Sequence, residues 1–305
     1  MKTAFINTLT ELMKLHDDVI TITADMGYSV FESMQKCFPK RFFNSGATEQ
    51  ASVSFAAGMA LAGYKVFFYA QAAFSTMRCF EQVRLDIAYN NLNVKIIGAN
   101  AGLSLNQLGA SHFAVEDVAL MMSLPSMKVF TPGDPKEMVW AIKTMHEVSG
   151  PAYLRFTRSG SNIIHKRNFK TTFGNPCLLK NGKDAVLFIS GGLLGTGFEV
   201  RGLLASRGID LCLYSIPTVR PLNEKIILKE ASRTKNIFTL EEHSIKGALG
   251  TAVAEILAEN SIKTQFTRLG ILEKYINITG SMGFLLDYCG LSAKKIAKSI
   301  KNRII

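Results

Sequence analysis

Apolar positions along the chain first recur at helical spacing. Phe5, Ile6, Leu9, Leu12 and Met13 line one side of a helix before Asp17-Asp18 turns the chain into the strand-like run Val19-Ile20-Thr21-Ile22-Thr23. The alternation then repeats, with strands predicted at 41–44, 65–69, 94–99, 127–131 and 152–157. Helices are predicted between them at 50–62, 76–89, 115–123 and 136–148. Buried apolar strands alternating with amphipathic helices make an α/β domain with a mainly parallel, doubly wound sheet. From Ser159 to Gly182 the pattern lapses into polar, basic and Gly/Pro-containing sequence, which suits a linker. Alternation resumes with strands at 184–190, 209–215 and 236–241 and helices at 195–207, 223–233 and 247–259. The expected division is a first domain at 1–165, a linker at 166–182 and a smaller α/β domain at 183–305.

A length of 305 residues with 48% hydrophobic content supports two such cores. The net charge of +11 points first to nucleic acid or an anionic surface. Its distribution argues against both, because the basic residues are scattered and few aromatics lie among them. The densest cluster, Lys294, Lys295, Lys298, Lys301 and Arg303, interleaves with Ile296, Ile300 and Ile304 at helical spacing, as in a terminal helix with one solvated face. The tempting apolar stretch at 53–74 is broken by Gly63, Lys65 and Gln71, so no membrane span is expected. The first 15 residues carry Lys2, Asn7, Glu11 and Lys14 too closely spaced for an export signal. Five cysteines, odd in number and without a Cys-x-x-Cys pair, fit reduced core residues of a cytoplasmic protein.

Within this frame Glu49 stands out. It follows Gly46-Ala47-Thr48 where a strand turns into a small-residue apolar helix, and a buried acid is unfavourable there unless something uses its proton. A second loop, Asn100-Ala101-Gly102 through Gly109-Ala110-Ser111-His112, leaves the C-terminal end of a central strand, where open α/β sheets bind ligands. That makes His112 a candidate site residue, against the commoner structural role of a lone histidine. Arg155 and Arg158 follow the last strand of the first domain, placed either to clamp a phosphate or to solvate the linker. Gly191-Gly192-Leu193-Leu194-Gly195 lacks dinucleotide-binding spacing and reads as a tight turn. Glu241-Glu242-His243 has no third ligand or nucleophile at metal or triad spacing and reads as interface or loop chemistry; no metal ligands are assigned.

Together these segments resemble the C-terminal half of transketolase, and most closely the separate small subunit of split transketolases. The resemblance is carried by Gly46 to Gln50, Glu81 to Lys95, Gly109-Ala110-Ser111-His112 with Glu116-Asp117, Leu124-Pro125, Pro132-Gly133-Asp134 and Gly150 to Arg155. It implies a pyrimidine-binding domain followed by a transketolase C-terminal domain. It also implies that Glu49 hydrogen-bonds the aminopyrimidine of thiamine diphosphate and shares a proton with its ring nitrogen. By the same resemblance Phe74 stacks on that ring, Asp25 and Gln71 lie near the cofactor, and His112 meets a sugar hydroxyl or carbonyl. Ser29 and Arg158 fall at a sugar phosphate, with Asn100 and Leu108 on the substrate side.

The Gly-Asp-Gly segment that holds the cofactor diphosphate through Mg2+ in such enzymes does not occur in this sequence. The resemblance therefore implies an N-terminal transketolase subunit as partner, holding the Mg2+, in an α2β2 heterotetramer. Departures gather on the substrate side. Gln71 replaces an aromatic, Asn100 a histidine, Leu108 an acid that reads a sugar hydroxyl, and Phe113 a glutamine. Leu108 cannot accept a hydroxyl hydrogen bond, so a deoxy or otherwise modified sugar is expected. The alternatives are the β subunit of a 2-oxo acid dehydrogenase, which shares this layout, and a non-catalytic interaction subunit.

Overall fold

The computed structural model describes residues 1–27, 30–157, 163–165 and 169–304, and among them two sheets are built from twelve strands. In chain order these are β1 (Val19–Thr23), β2 (Phe42–Asn44), β3 (Lys65–Gln71), β4 (Val94–Ala99), β5 (Lys128–Phe130) and β6 (Ala152–Arg155). Then follow β7 (Cys177–Lys180), β8 (Ala185–Ser190), β9 (Leu211–Ile216), β10 (Thr218–Arg220), β11 (Asn236–Ser244) and β12 (Gln265–Ile271). The first sheet runs β10-β5-β6-β4-β3-β1-β2 and the second β12-β11-β8-β9-β7. Both are parallel except at one edge, where β10 pairs antiparallel with β5 and β7 antiparallel with β9.

Every residue of β1 and β4 is buried, as expected of strands covered on both faces. Ile20, Ile22, Val66, Phe68, Val94 and Ile96 are fully enclosed, and at roughly 1.5–3 kcal/mol per apolar side chain they hold the centre of the sheet together. Two strands depart from expectation. Cys177–Lys180 forms an edge strand inside the stretch read as linker, and Thr218–Arg220 crosses back to extend the first sheet. The helix predicted at 76–89 is wound wide, with π-helical turns at Phe74–Arg78 and Val83–Tyr89 flanking Phe80–Gln82. The terminal helix, Ala293–Ile304, buries Ile296 and Ile300 as its spacing predicts. Cys79, Cys212 and Cys289 are buried, whereas Cys37 is exposed and Cys177 half-buried, a correction to the expectation of core cysteines. Among the described residues no helix is long and apolar enough to cross a membrane.

One apolar cluster runs across the two halves, joining Val118, Met121 and Leu124 to Ile216, Val219 and Leu249. The polar Glu241-Glu242-His243 end of β11 docks against the first sheet. The Arg155 guanidinium lies 3.0 Å from Asp117 and donates to the Glu242 carbonyl, while Tyr153 donates to Asp117 at 2.6 Å. Arg155 is 4% exposed, so it neither clamps a phosphate nor solvates a linker. His243 donates from Nδ1 to the Ser244 carbonyl and accepts the Ala119 amide at Nε2; full burial depresses its pKa to about 4.

Candidate active site

Three loops at the C-terminal ends of β2, β3 and β4 converge on one cleft. After β2, Gly46 takes φ +74, a turn that favours glycine, and the Asn44 side chain accepts from the Gly46 and Asp25 amides, tying the β1 and β2 ends together. This turn delivers Glu49 as the first residue of helix Glu49–Leu61. The helix N-terminus favours an anion there, and Glu49 is only 5% exposed. After β3, the π-helical turn beginning at Phe74 is secured by the Thr76 hydroxyl donating to the Ala72 carbonyl at 2.6 Å. Such wide turns recur at functional sites because they re-aim side chains that a regular helix would place elsewhere.

The two loops meet through Arg78. Its Nη1 donates to Glu49 Oε2 at 2.9 Å, and its guanidinium carbon lies 4.0 Å from the Phe74 ring centroid. A planar, hydrogen-bond-donating group thus sits on Phe74 and reaches Glu49 at once. The His112 ring stands edge-on to Phe74, with centroids 5.1 Å apart, and its Nδ1 lies 3.0 Å from the Ser111 hydroxyl. The neighbouring thiol of Cys79 is pushed up to about 12 by burial first and by the Glu49 charge second, which leaves it inert. A cavity of about 290 Å³ opens beside these groups, lined by Phe74, Met77, Arg78, Ser111 and Glu116 and by Lys274 and Tyr275 of the second domain. Burial raises the Glu116 carboxyl above its usual range, and its Oε2 accepts the Val115 amide.

Glu49, Phe74 and His112 are therefore brought together. Gln71 and Asn100 pair with each other at 2.9 Å, and Asn100 lines a second cavity of about 500 Å³ with Met26 and Gly27. Asp25 lines a third, smaller cleft with Gly27 and Asn44. Leu108 is 54% exposed on the β4 loop. Phe113 lines the same cavity as Phe74 and Arg78, and most of its side chain is buried among apolar residues of the second domain. Ser29 and Arg158 lie outside the described residues. Arg78 and Glu116 line the same cleft; neither has a role legible in the sequence pattern, although Glu116 lies in a segment carrying the resemblance. No spacing announced the Phe74–Arg78 contact, because it rides on a π-helical turn that begins before the helix predicted at 76–89.

Comparison with known proteins decides the family. The descriptions "Transketolase, pyrimidine binding domain" and "Transketolase, C-terminal domain" match residues 1–162 and 176–296. The chain belongs to the transketolase family. It is 35% identical to a putative transketolase C-terminal section of Methanocaldococcus jannaschii over 98% of this chain and 95% of that protein. It is 30% identical to one of the subunits of the apulose-4-phosphate transketolase of Phocaeicola vulgatus, over 97% and 95% of the two chains. A solved split-gene transketolase, described as an inactive beta4 tetramer, superposes with a TM-score of 0.89 at 32% identity, covering 99% of this chain and 97% of its own.

Proposed function

We propose that this chain contributes the pyrimidine-binding half of a thiamine-diphosphate-dependent ketol transferase, which moves a two-carbon unit between sugars and works only with a partner chain. One observation carries the reading: the Arg78 guanidinium stacked on Phe74 and bonded to Glu49. A guanidinium is planar, electron-poor and rich in N–H donors, and so is an aminopyrimidine, so the Phe74 face and the Glu49 carboxylate suit the chemistry of either. Thiamine diphosphate, when bound, supplies the electron sink for breaking the bond beside a ketose carbonyl. Glu49 would hold a proton against a ring nitrogen, Phe74 would carry the ring face, and Asp25 and Gln71 would flank it.

On the substrate side His112 is fixed at one ring nitrogen by Ser111 and offers the other to a sugar hydroxyl or carbonyl. Exposed Leu108 and the Gln71–Asn100 pair favour a sugar lacking a hydroxyl contact of the usual kind, with Ser29 and Arg158 as the phosphate contacts. The relative that acts on apulose 4-phosphate supports a departure from the common pentose phosphates. On this reading a partner N-terminal subunit would hold the diphosphate and Mg2+, in an α2β2 assembly; the split-gene relative described as an inactive beta4 tetramer supports it. The division into domains at 1–165 and 183–305, and a reducing cytoplasmic setting for five unpaired cysteines, belong to the same reading.

The test is co-purification with a chain carrying the diphosphate motif, followed by thiamine diphosphate titration with and without it. Tight binding only in the pair, with ketol transfer to an aldose, supports the proposal. Release of CO2 from a 2-oxo acid, or a pair that binds no cofactor, would overturn it.

A further inference from the structure

The loop between β4 and helix Asp117–Met122 belongs by sequence to the first domain, yet the second domain holds it. Its root is pinched by mutual backbone hydrogen bonds between Gly102 and Ala114, at 2.8 and 3.0 Å. Beyond the pinch, Leu103, Phe113 and Val115 are buried in one apolar cluster with Leu240, Ile271, Ile276 and Leu285, all of the second domain. Glu242, 2% exposed, extends its Oε1 from the end of β11 to accept the Leu103 amide at 2.7 Å. The approach is so close that a Cβ on Gly102 would lie 2.3 Å from that oxygen, and Gly102 has φ +63. A second grip lies further along, where Asn106 donates its side-chain amide to the Gly280 carbonyl and accepts the Gly280 amide at its own carbonyl. The Ser244 amide donates to the Val115 carbonyl at 2.7 Å, closing the far end.

This loop lines the cleft with Ser111 and sets His112 edge-on to Phe74. We infer that the second domain acts as a clamp on this substrate-facing loop, with Glu242 as a positioning residue for His112 and with Asn106–Gly280 as a second tie. The inference rests on the ketol-transfer reading of the site. The chemical logic is local. A buried carboxylate bonded to a backbone amide fixes where the loop leaves the sheet, and His112 follows nine residues on at a place set by that root and by Phe74. Glu49 is held by Arg78 and the Phe74 turn by the Thr76–Ala72 bond, both of the first domain, so loosening the clamp should disturb the sugar more than the cofactor ring.

The experiment uses the chain assembled with its partner and compares Glu242→Gln, Glu242→Ala and Asn106→Ala for sugar kcat and KM and for thiamine diphosphate affinity. Glu242→Gln keeps an acceptor oxygen for Leu103 and should retain activity within about threefold. Glu242→Ala should lower kcat/KM about 100-fold, the usual consequence of misplacing a reacting group by about 1 Å, while cofactor affinity changes less than threefold. Asn106→Ala, at a half-buried tie that the fold can lose, should act in the same direction by about 3- to 10-fold and decides the matter if Glu242→Ala does not fold. Unchanged sugar kinetics in the variants that fold, or equal losses in cofactor affinity and sugar turnover, would overturn the clamp. Glu49→Gln serves as the control: if it too keeps full activity, the ketol-transfer reading fails, whereas an inactive Glu49→Gln beside a fully active Glu242→Ala rejects the clamp alone.

Discussion

Replacing Arg78 with methionine should tighten thiamine diphosphate binding in the assembled enzyme. The guanidinium occupies the place proposed for the cofactor's ring, stacked 4.0 Å from the Phe74 centroid and 2.9 Å from Glu49. Both contacts must be surrendered before another planar group can enter. A cation over an aromatic face at a partly exposed site contributes about 0.5–1 kcal/mol. The ion pair contributes about 1 kcal/mol at most, because the Arg78 side chain is 48% exposed and solvent screens it. Part of this is recovered if the guanidinium finds a new partner, so the net obstacle is about 1–2 kcal/mol, or roughly 5- to 30-fold in Kd. Methionine keeps only the apolar stem over Phe74, so the unliganded enzyme should also lose up to about 1–2 kcal/mol of thermal stability, the same contacts read from the other side. Calorimetric titration of the assembled Arg78→Met enzyme reads the shift, and Arg78→Lys, with a charge but no planar fork, should fall between the two. Unchanged affinity would show that Arg78 leaves at no cost. Weaker binding would show that it serves the ligand directly, and either result refutes displacement.

Two further outcomes follow from the same geometry. His243 is held neutral in the fold, with its pKa near 4 against the ordinary 6.5. Above pH 6.5 it has no effect on stability; as pH falls toward 4 the unfolded chain takes up a proton that the folded one refuses, so stability is lost across that window. The drop from pH 7 to pH 5 should be about 2 kcal/mol smaller in His243→Gln by urea denaturation, and an identical pH dependence would place the titration elsewhere. Leu108→Asp should raise kcat/KM about 10-fold for a sugar carrying the hydroxyl that leucine cannot bond, a modest gain because the site is half exposed. A kinetic profile across several ketoses that does not move would remove Leu108 from the substrate side.

Much of the architecture was legible because the central strands β1, β3 and β4 are buried on both faces and so read as largely apolar runs. Glu49 was legible for the complementary reason, a charge in an otherwise small and apolar segment. Edge strands left no such trace. Cys177–Lys180 alternates in burial and Thr218–Arg220 is three residues long, too short to set a period. The Arg78 contact was hidden by the widened helical turn, which no residue spacing announces. Arg155 and Glu242 could not be placed because their partners, Asp117 and Leu103, lie 38 and 139 residues away in sequence. Pairing at that range is a property of how the two sheets dock. Glu241-Glu242-His243 reads as interface chemistry in both sequence and structure, yet only the structure shows which loop it grips.

The proposed chemistry requires Glu49 to act on a ring held against Phe74. The direct measurement is the single-turnover rate of two-carbon transfer by Glu49→Gln in the assembled enzyme, with cofactor occupancy recorded in the same samples. Glutamine keeps the shape and a hydrogen-bonding oxygen but cannot hold the proton, so the rate should fall by about 10²- to 10⁴-fold while the cofactor remains bound. A fully occupied Glu49→Gln enzyme transferring at the parent rate would contradict that role for Glu49.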